Sequence, residues 1–471
     1  TGSSVFDMGT MTSTSSRARL RVIDRATGKT EREVELASSM DYTCRPAYAD
    51  GIIVVPLSGG CLQAVSASSL KTLWVVPAST SGQSMSSLSI VDGYVYLSMF
   101  DSLSADGQST TGGSILRCNL LTGALAGSLR NDAAGYYWAG GVHVDGHFVI
   151  GDDAGIVHVF TSDLAREVSR VDVSASPLRS SLVEADGFVY AVSRDDGVLH
   201  KLAIGTDGQV REVASVKFAA YSTSTPAIAG GKAFIGGLGS GLAWEAPGIL
   251  AVVDLATMSV TQVTQADGAD ILGEVKSAPL VAVRDGGTYV YFTSNKATGT
   301  YPNYEAGGGI YAYRVGDTEA RLLFQPGAGM ANYCMSSVIC DTEGNLYYTN
   351  DSGHLFKIVS TASGGQGDNG QGNGGQGGNG QGNGSGQGNG SSAGGGQQGG
   401  SSDTSSTSRP ASSAGASQKR DESTIADEES ASLEQDGEEA GSSQDEDGGR
   451  EGTRAAADRE RTEADGTPSI F

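Results

Sequence analysis

Short apolar runs separated by turns rich in glycine and aspartate recur along most of the first 360 residues. The clearest example is residues 176–218, SPLRSSLVEADGFVYAVSRDDGVLHKLAIGTDGQVREVASVKF. Apolar runs at 180–183 and 188–192 are joined by Ala185, Asp186 and Gly187, and glycine favours tight hairpins because it tolerates positive φ. Asp195, Asp196 and Gly197 lead into a third run at 198–204. Thr206, Asp207 and Gly208 lead into a fourth at 210–216, which alternates apolar and polar with period two. The stretch predicts four short antiparallel strands in one sheet, and such a sheet needs neighbours to cover its faces.

The same pattern repeats. Second strands are predicted to begin near Ile52, Tyr94, Phe148, Phe188, Ala233, Tyr289 and Leu346, at spacings of 42, 54, 40, 45, 56 and 57 residues. That period is one four-stranded propeller blade plus insertions. Each is preceded by an inner strand with proline or a compact residue at a matching place: Pro46, Leu88, Gly141, Ser181, Pro226, Pro279 and Ser337. Third strands follow as CLQAV, ILRCNL, VHVF, ILAVVD, IYAY and HLFKI. At the N-terminus, ARLRVIDRATGKTEREVEL supplies a third and a fourth strand, with residues 5–8 as the remnant of a second. The C-terminal unit, 333–359, supplies a first, second and third. Six complete units and these two partial ones predict an all-β propeller of eight blades over residues 1–361; in a seven-bladed ring the two ends would merge and leave a third strand spare.

Composition narrows the function classes. A net charge of −23 (54 acidic against 31 basic residues) argues against nucleic acid and against an anionic membrane surface, both of which would repel the chain. No apolar run is long enough to cross a bilayer, so direct membrane insertion is not expected, and any export signal or anchor is expected outside these residues. Cys44, Cys61, Cys118, Cys334 and Cys340 form no obvious disulfide framework. Cys334 and Cys340 lie too far apart along one extended run to pair, and buried free thiols are expected. From 362 to 400 the chain is almost entirely Gly, Gln, Asn and Ser, a composition expected of a flexible linker. Residues 401–471 carry 18 acidic and 7 basic residues, a net of −11, and are expected to be a disordered acidic tail.

The run LRVIDRATGKTEREVEL resembles the "alD..TGk..W" consensus of pyrroloquinoline-quinone-type propeller repeats, and DGFVYAVSRDDGVLHKL is similar to their "dg.vYv.s.dG.lyaL" segment. The resemblance covers residues 1–361 and implies a quinoprotein-like propeller. The family includes quinoprotein dehydrogenases, an outer-membrane-assembly lipoprotein and many surface proteins, so the motif implies the fold and not one role. WD40 and kelch signatures fit less well. For an enzyme the resemblance implies a tryptophan floor, acidic and amide calcium ligands and an adjacent cysteine pair over the quinone. No Cys-Cys dipeptide occurs, and Thr30, Glu31 and Arg32 stand where the enzymes' TGK motif ends in tryptophan. A non-catalytic member without cofactor or metal is expected.

His143 and His147 flank a turn but lack the further ligands that zinc requires. His158 and His200 share one repeat position, which predicts a structural, outward-facing role. The pairs Asp152 with Asp153 and Asp195 with Asp196 are expected to cap hairpin turns. Aromatics are more informative. Tyr42, Tyr136, Tyr137, Trp138, Tyr221 and Tyr333 precede first strands, whereas three insertions between second and third strands, 99–113, 236–248 and 295–309, bring Phe100, Trp244, Tyr301 and Tyr304. In a four-stranded blade both sets of loops emerge on one face, hereafter the top. Tyr137, Trp138, Trp244, Tyr301 and Tyr304 are therefore the candidate binding residues for a protein or carbohydrate partner, unless the rings simply plug the channel. The expected protein is a monomeric extracellular, cell-surface or envelope binding module on a flexible stalk. The alternatives are an envelope scaffold resembling the outer-membrane-assembly propeller and, less favoured by the residues, a quinoprotein-like oxidoreductase.

Overall fold

The Asp-Gly pairs set the register of the sheets. In the computed structural model Asp50-Gly51, Asp92-Gly93, Asp145-Gly146 and Asp186-Gly187 all have positive φ at both positions. This is the type I′ geometry that matches the twist of paired strands, and each pair joins a first strand to a second. The structure describes residues 4–7, 12–15, 17–39, 45–78, 86–104, 108–241, 245–284, 286–300 and 303–359; the predicted linker and acidic tail lie outside them. Second strands begin at Ile52, Tyr94, His147, Phe188, Lys232, Gly287 and Leu346, within two residues of every predicted start.

Seven of the sheets are blades. Six have four antiparallel strands in chain order and span 47–76, 89–131, 142–172, 183–217, 227–263 and 280–324; the seventh, 339–358, has three. No α-helix occurs among the described residues. First strands are shorter than the sequence predicts: in blade 4 the first strand is Val183–Ala185 rather than 180–183. The preceding residues bond to neighbouring blades instead. The Leu182 amide donates to the Gly140 carbonyl of blade 3 at 2.9 Å, and the Ser181 amide to Thr225 Oγ1 of blade 5 at 3.1 Å.

The core lies in the seams between blades. Val54, Leu62 and Trp74 of blade 1 meet Leu97 and Cys118 of blade 2. Phe234 and Leu250 of blade 5 meet Phe292 and Tyr311 of blade 6. Ile310 of blade 6 meets Tyr348 and Phe356 of blade 7. Central strands are therefore covered on both faces, and the four inner residues of Ile156–Thr161 are all buried where simple alternation would expose half.

The predicted eighth blade is not formed. Its third and fourth strands exist only as a two-stranded hairpin, Arg19–Ile23 with Thr30–Glu35. The segment ahead of it, Ser4–Asp7, pairs with Thr12–Ser15 as a separate hairpin rather than extending the sheet. The Arg19–Ile23 hairpin packs its apolar side on Val55, Leu57 and Cys61 of blade 1. On its other side Arg25 Nη1 stands 3.1 Å from Asp341 Oδ2, and Lys357 Nζ donates to the Arg25 carbonyl at 3.0 Å. The hairpin thus joins blade 1 to blade 7. Pairing at a ring seam depends on where two chain ends meet, which local strand patterns do not encode.

The top face and its axial cavity

Loops from different blades meet on the predicted face. Gln108, in the blade 2 insertion, accepts at its carbonyl a 2.6 Å hydrogen bond from Arg179 Nη2, which precedes the first strand of blade 4. The Asn295 side chain, after the second strand of blade 6, bonds the Cys334 carbonyl at 2.9 Å ahead of blade 7.

At the axis these segments enclose a cavity of about 600 Å3, within the ~300–1,000 Å3 range of small-molecule sites. Three cations line it: Arg45, Arg179 and Lys276. Arg179 is neutralised by a buried fork, Nε to Asp153 Oδ1 at 2.6 Å and Nη2 to Oδ2 at 2.7 Å, and its guanidinium lies 4.4 Å over the Tyr137 ring. Lys276 Nζ lies 3.8 Å from Glu274 Oε1 and 5.2 Å from the Trp138 ring centroid. Arg45 donates to Ser337 Oγ at 2.6 Å, and among the described residues no carboxylate pairs with it. The surrounding walls remove part of its solvent and lower its pKa, although a guanidinium stays charged. Among the described residues Asp351 is the one carboxylate on the wall, and partial loss of solvent raises its pKa.

Trp138 holds φ = +59°, a left-handed conformation uncommon for a bulky residue and found preferentially at ligand and active sites. Its ring lies 4.8 Å from that of Tyr137, tilted by 31°, and Tyr137 lies 4.7 Å from Phe100. Trp138 Nε1, Ser180 Oγ and Thr223 Oγ1 are buried atoms without hydrogen-bond partners, and all three residues line the cavity.

Of the five candidate residues, Trp138 lines this cavity, and Tyr137 packs against the Trp138 ring. Trp244 and Tyr301 lie outside the described residues. Tyr304 falls in the strand Asn303–Ala306, opposite Gly299 in a hairpin built by the blade 6 insertion. Among the other aromatics, Tyr136 and Phe100 are buried side chains rather than surface anchors, Tyr221 and Tyr333 are half-buried near Lys276, and Tyr42 lies outside the described residues. Arg45, Arg179 and Lys276 were not among the residues singled out from the sequence. Their signal was present, because each precedes a matched inner-strand position, Pro46, Ser181 or Pro279, by one to three residues.

The histidines belong to the blades. His158 and His200 are 5% and 3% exposed, so the expected outward orientation is corrected: both strands are covered on two sides. His158 Nε2 bonds Asp152 Oδ2 at 2.9 Å and Nδ1 bonds Glu167 Oε1 at 2.8 Å. Asp152 Oδ1 also accepts from the Ala154 and Ile156 amides at 3.0 Å, the expected turn cap. Ser193 Oγ, His200 Nε2 and Glu212 Oε1 form a relay at 3.0 and 2.9 Å that has the order of a nucleophilic triad. Ser193 is 0% exposed, however, and no substrate can reach it. His143 and His147 do not converge: His143 lies 4.5 Å from the Tyr96 ring, whereas His147 packs at Gly208 of the next blade. Burial lowers the His143 pKa to about 4. Among the described residues no group of three His, Cys, Asp or Glu side chains is arranged to hold a metal ion, and Cys61, Cys118, Cys334 and Cys340 are free thiols.

Burial opposes charging of His158, but the hydrogen bonds and charges of Asp152 and Glu167 outweigh it and raise its pKa. The folded pKa thus exceeds the ~6.5 of an unfolded histidine. His158 then contributes stability that is fully present below that value and is lost as pH rises through the folded pKa. Urea midpoints measured from pH 5 to 9 should fall over that window in the native chain and fall less in His158→Asn. An unchanged slope in the variant would exclude this linkage.

The quinone set implied by the resemblance does not fit the cavity. Calcium takes ~6–8 oxygen ligands, but among the described residues Asp351 is the sole carboxylate on the wall, and the Asn350 amide is already bonded to the Met330 carbonyl and the Ser352 amide.

Comparison with solved structures places the fold among β-propellers. The C-terminal WD40 domain of Sif2 matches at a TM-score of 0.50 and 13% identity, over 73% of this chain and 90% of that one. BamB from Moraxella catarrhalis matches at 0.47 and 14%, over 70% and 87%. Quinohemoprotein alcohol dehydrogenase from Comamonas testosteroni matches at 0.45 and 12%, over 70% and 75%. The chain is an all-β propeller of four-stranded blades, as its strand pairing shows and the likeness to the Sif2 domain supports. Identities this low establish the fold and nothing finer. No protein-family model and no curated protein matches the chain.

Proposed function

We propose that the protein is a non-catalytic binding propeller whose top face receives a protein or carbohydrate partner. The observation that carries this reading is the axial cavity, where segments of several blades gather cations and the Trp138 ring within an acidic chain. Strained backbone at Trp138 supports it, since such strain persists where surrounding structure imposes it for a purpose. The one triad-like relay is sealed inside blade 4, which favours binding over covalent chemistry. A Gly/Gln/Asn-rich stretch followed by an acidic one suits display on a stalk, in an extracellular or envelope setting.

Glycan and peptide arrays probed with the full chain test the proposal. A defined class of hits is expected. Trp138→Ala, or the loop variant Trp244→Ala/Tyr301→Ala/Tyr304→Ala, should weaken the hits by ~2 kcal/mol or more. The loop variant should keep its melting temperature, because the three residues come from insertions and not from the four-stranded sheets. A melting temperature that falls while the hits persist would instead assign the rings to sealing the toroid.

A further inference from the structure

Blade 7 is covered on one side only. Strand pairing puts Leu346, Tyr348, Phe356 and Ile358 on the face that packs against Ile310 of blade 6. It puts Ile339, Tyr347, Thr349, Leu355 and Lys357 on the other face, where none is buried: Ile339 is 58% and Leu355 48% exposed. In blades 1, 3 and 4, by contrast, the second strand is buried on both faces. Across the seam, Ile53 and Val55 of blade 1 lie under the Arg19–Ile23 hairpin, whereas Tyr48, opposite Ile53 on the first strand, is 64% exposed. The hairpin thus covers the second and third strands of blade 1 and leaves the first one bare.

Two strands are missing from this seam. The hairpin sheet is Arg19–Ile23 with Thr30–Glu35 alone, so one edge of Arg19–Ile23 pairs with no other strand among the described residues. A free strand edge beside exposed apolar side chains is a template for strand addition. Residues 362–400 cannot supply the strands, because they hold no apolar residue larger than alanine.

Residues 4–15 have the form that the gap requires. Ser4–Asp7 and Thr12–Ser15 are two antiparallel strands immediately ahead of Arg19–Ile23, and their sequence brings Val5 and Phe6. Three residues, 16–18, separate Thr12–Ser15 from Arg19–Ile23. Three residues, Ser58–Gly60, also join the paired second and third strands of blade 1, with Leu57 opposite Cys61. The same connection would set Ser15 opposite Arg19.

We propose that residues 1–16 are a strap for this seam: the hairpin of 4–15 adds to the free edge of Arg19–Ile23 and covers Ile339, Tyr347 and Leu355. The two hairpins are separate sheets in the structure, which is the open state. Ile339, Tyr347 and Leu355 also line the axial cavity, so the docked strap closes its outer end. This closure does not depend on what the top face binds.

Hydrogen–deuterium exchange, with light scattering to fix the oligomeric state, compares the full chain with a variant lacking residues 1–16 and with Phe6→Asp. Segments 19–23 and 339–349 should be protected in the monomeric full chain. Both should exchange about 10-fold faster or more in either variant, since the strap's docking is what holds them closed. Exchange across blades 3 to 5 should be unchanged, which separates loss of the strap from unfolding. Equal exchange at 339–349 in the full chain and both variants would overturn the proposal. So would protection that appears only where the full chain is dimeric, which would assign the gap to a second copy.

Discussion

Asp153→Ala is expected to destabilise the chain by ~3–5 kcal/mol, because it leaves the Arg179 guanidinium buried without its counter-charge. Both side chains are almost completely enclosed, at 1% and 3% exposure, and the fork between them is bidentate. Arg179 keeps two other contacts, the Gln108 carbonyl at 2.6 Å and the Tyr137 ring, and neither supplies an opposite charge. Asp153→Asn should cost less, since its amide oxygen still accepts one guanidinium hydrogen bond. Asp153→Leu combined with Arg179→Met should recover much of the loss, because replacing both members of a buried pair avoids the orphaned charge. Urea denaturation reads all of these. An Asp153→Ala loss below about 1 kcal/mol would mean that the pair is hydrated rather than sealed.

Trp74→Ala is expected to cost ~3–5 kcal/mol, the range for truncating a large buried aromatic ring. Trp74 sits in the outer strand Thr72–Val76 of blade 1 and donates from Nε1 to the Leu120 carbonyl of blade 2 at 2.8 Å. A Cβ at Gly123 would lie 2.7 Å from its ring, and Gly123 has φ = +71°, so the turn of blade 2 is shaped around the indole. Trp74→Phe keeps most of the ring but loses the hydrogen bond and should cost ~1–3 kcal/mol. Gly123→Ala should destabilise native protein more than it destabilises Trp74→Ala, since the clash and the cavity lie at the same place. Equal effects in both backgrounds, measured as a double-mutant cycle, would show that ring and turn are energetically separate.

The blades were legible because their signals are local. An Asp-Gly pair that requires two positive φ values reads directly from the chain, and so does the apolar run after it. Inner strands were legible only as positions: the sequence marked Pro46, Ser181 and Ser337, but not that residues before a first strand would bond to adjacent blades. His158 and His200 were assigned to the right repeat position and the wrong side, since alternation predicts one wet face and a stacked sheet has none. Tyr136 was legible as an aromatic at the entry to a first strand, but not its place in the seam with Ile115 and Phe148. The blade count was not legible, because the N-terminal hairpin and the seventh sheet meet through Arg25 and Lys357 at the far ends of the propeller sequence. The cavity was only half legible. Its tryptophan was visible in the sequence as an aromatic pair, while its cations are single residues from three blades whose convergence the ring alone creates.

Hydrogen–deuterium exchange of the full chain, with and without a saturating array hit, tests the central claim most directly. The account expects slowed exchange in the segments that frame the cavity, residues 135–141, 176–182, 219–226 and 333–338, with no change at the bottom-face turns Asp50-Gly51, Asp145-Gly146 and Asp186-Gly187. Protection confined to those turns or to the outer strands, with the cavity segments unchanged, would contradict it.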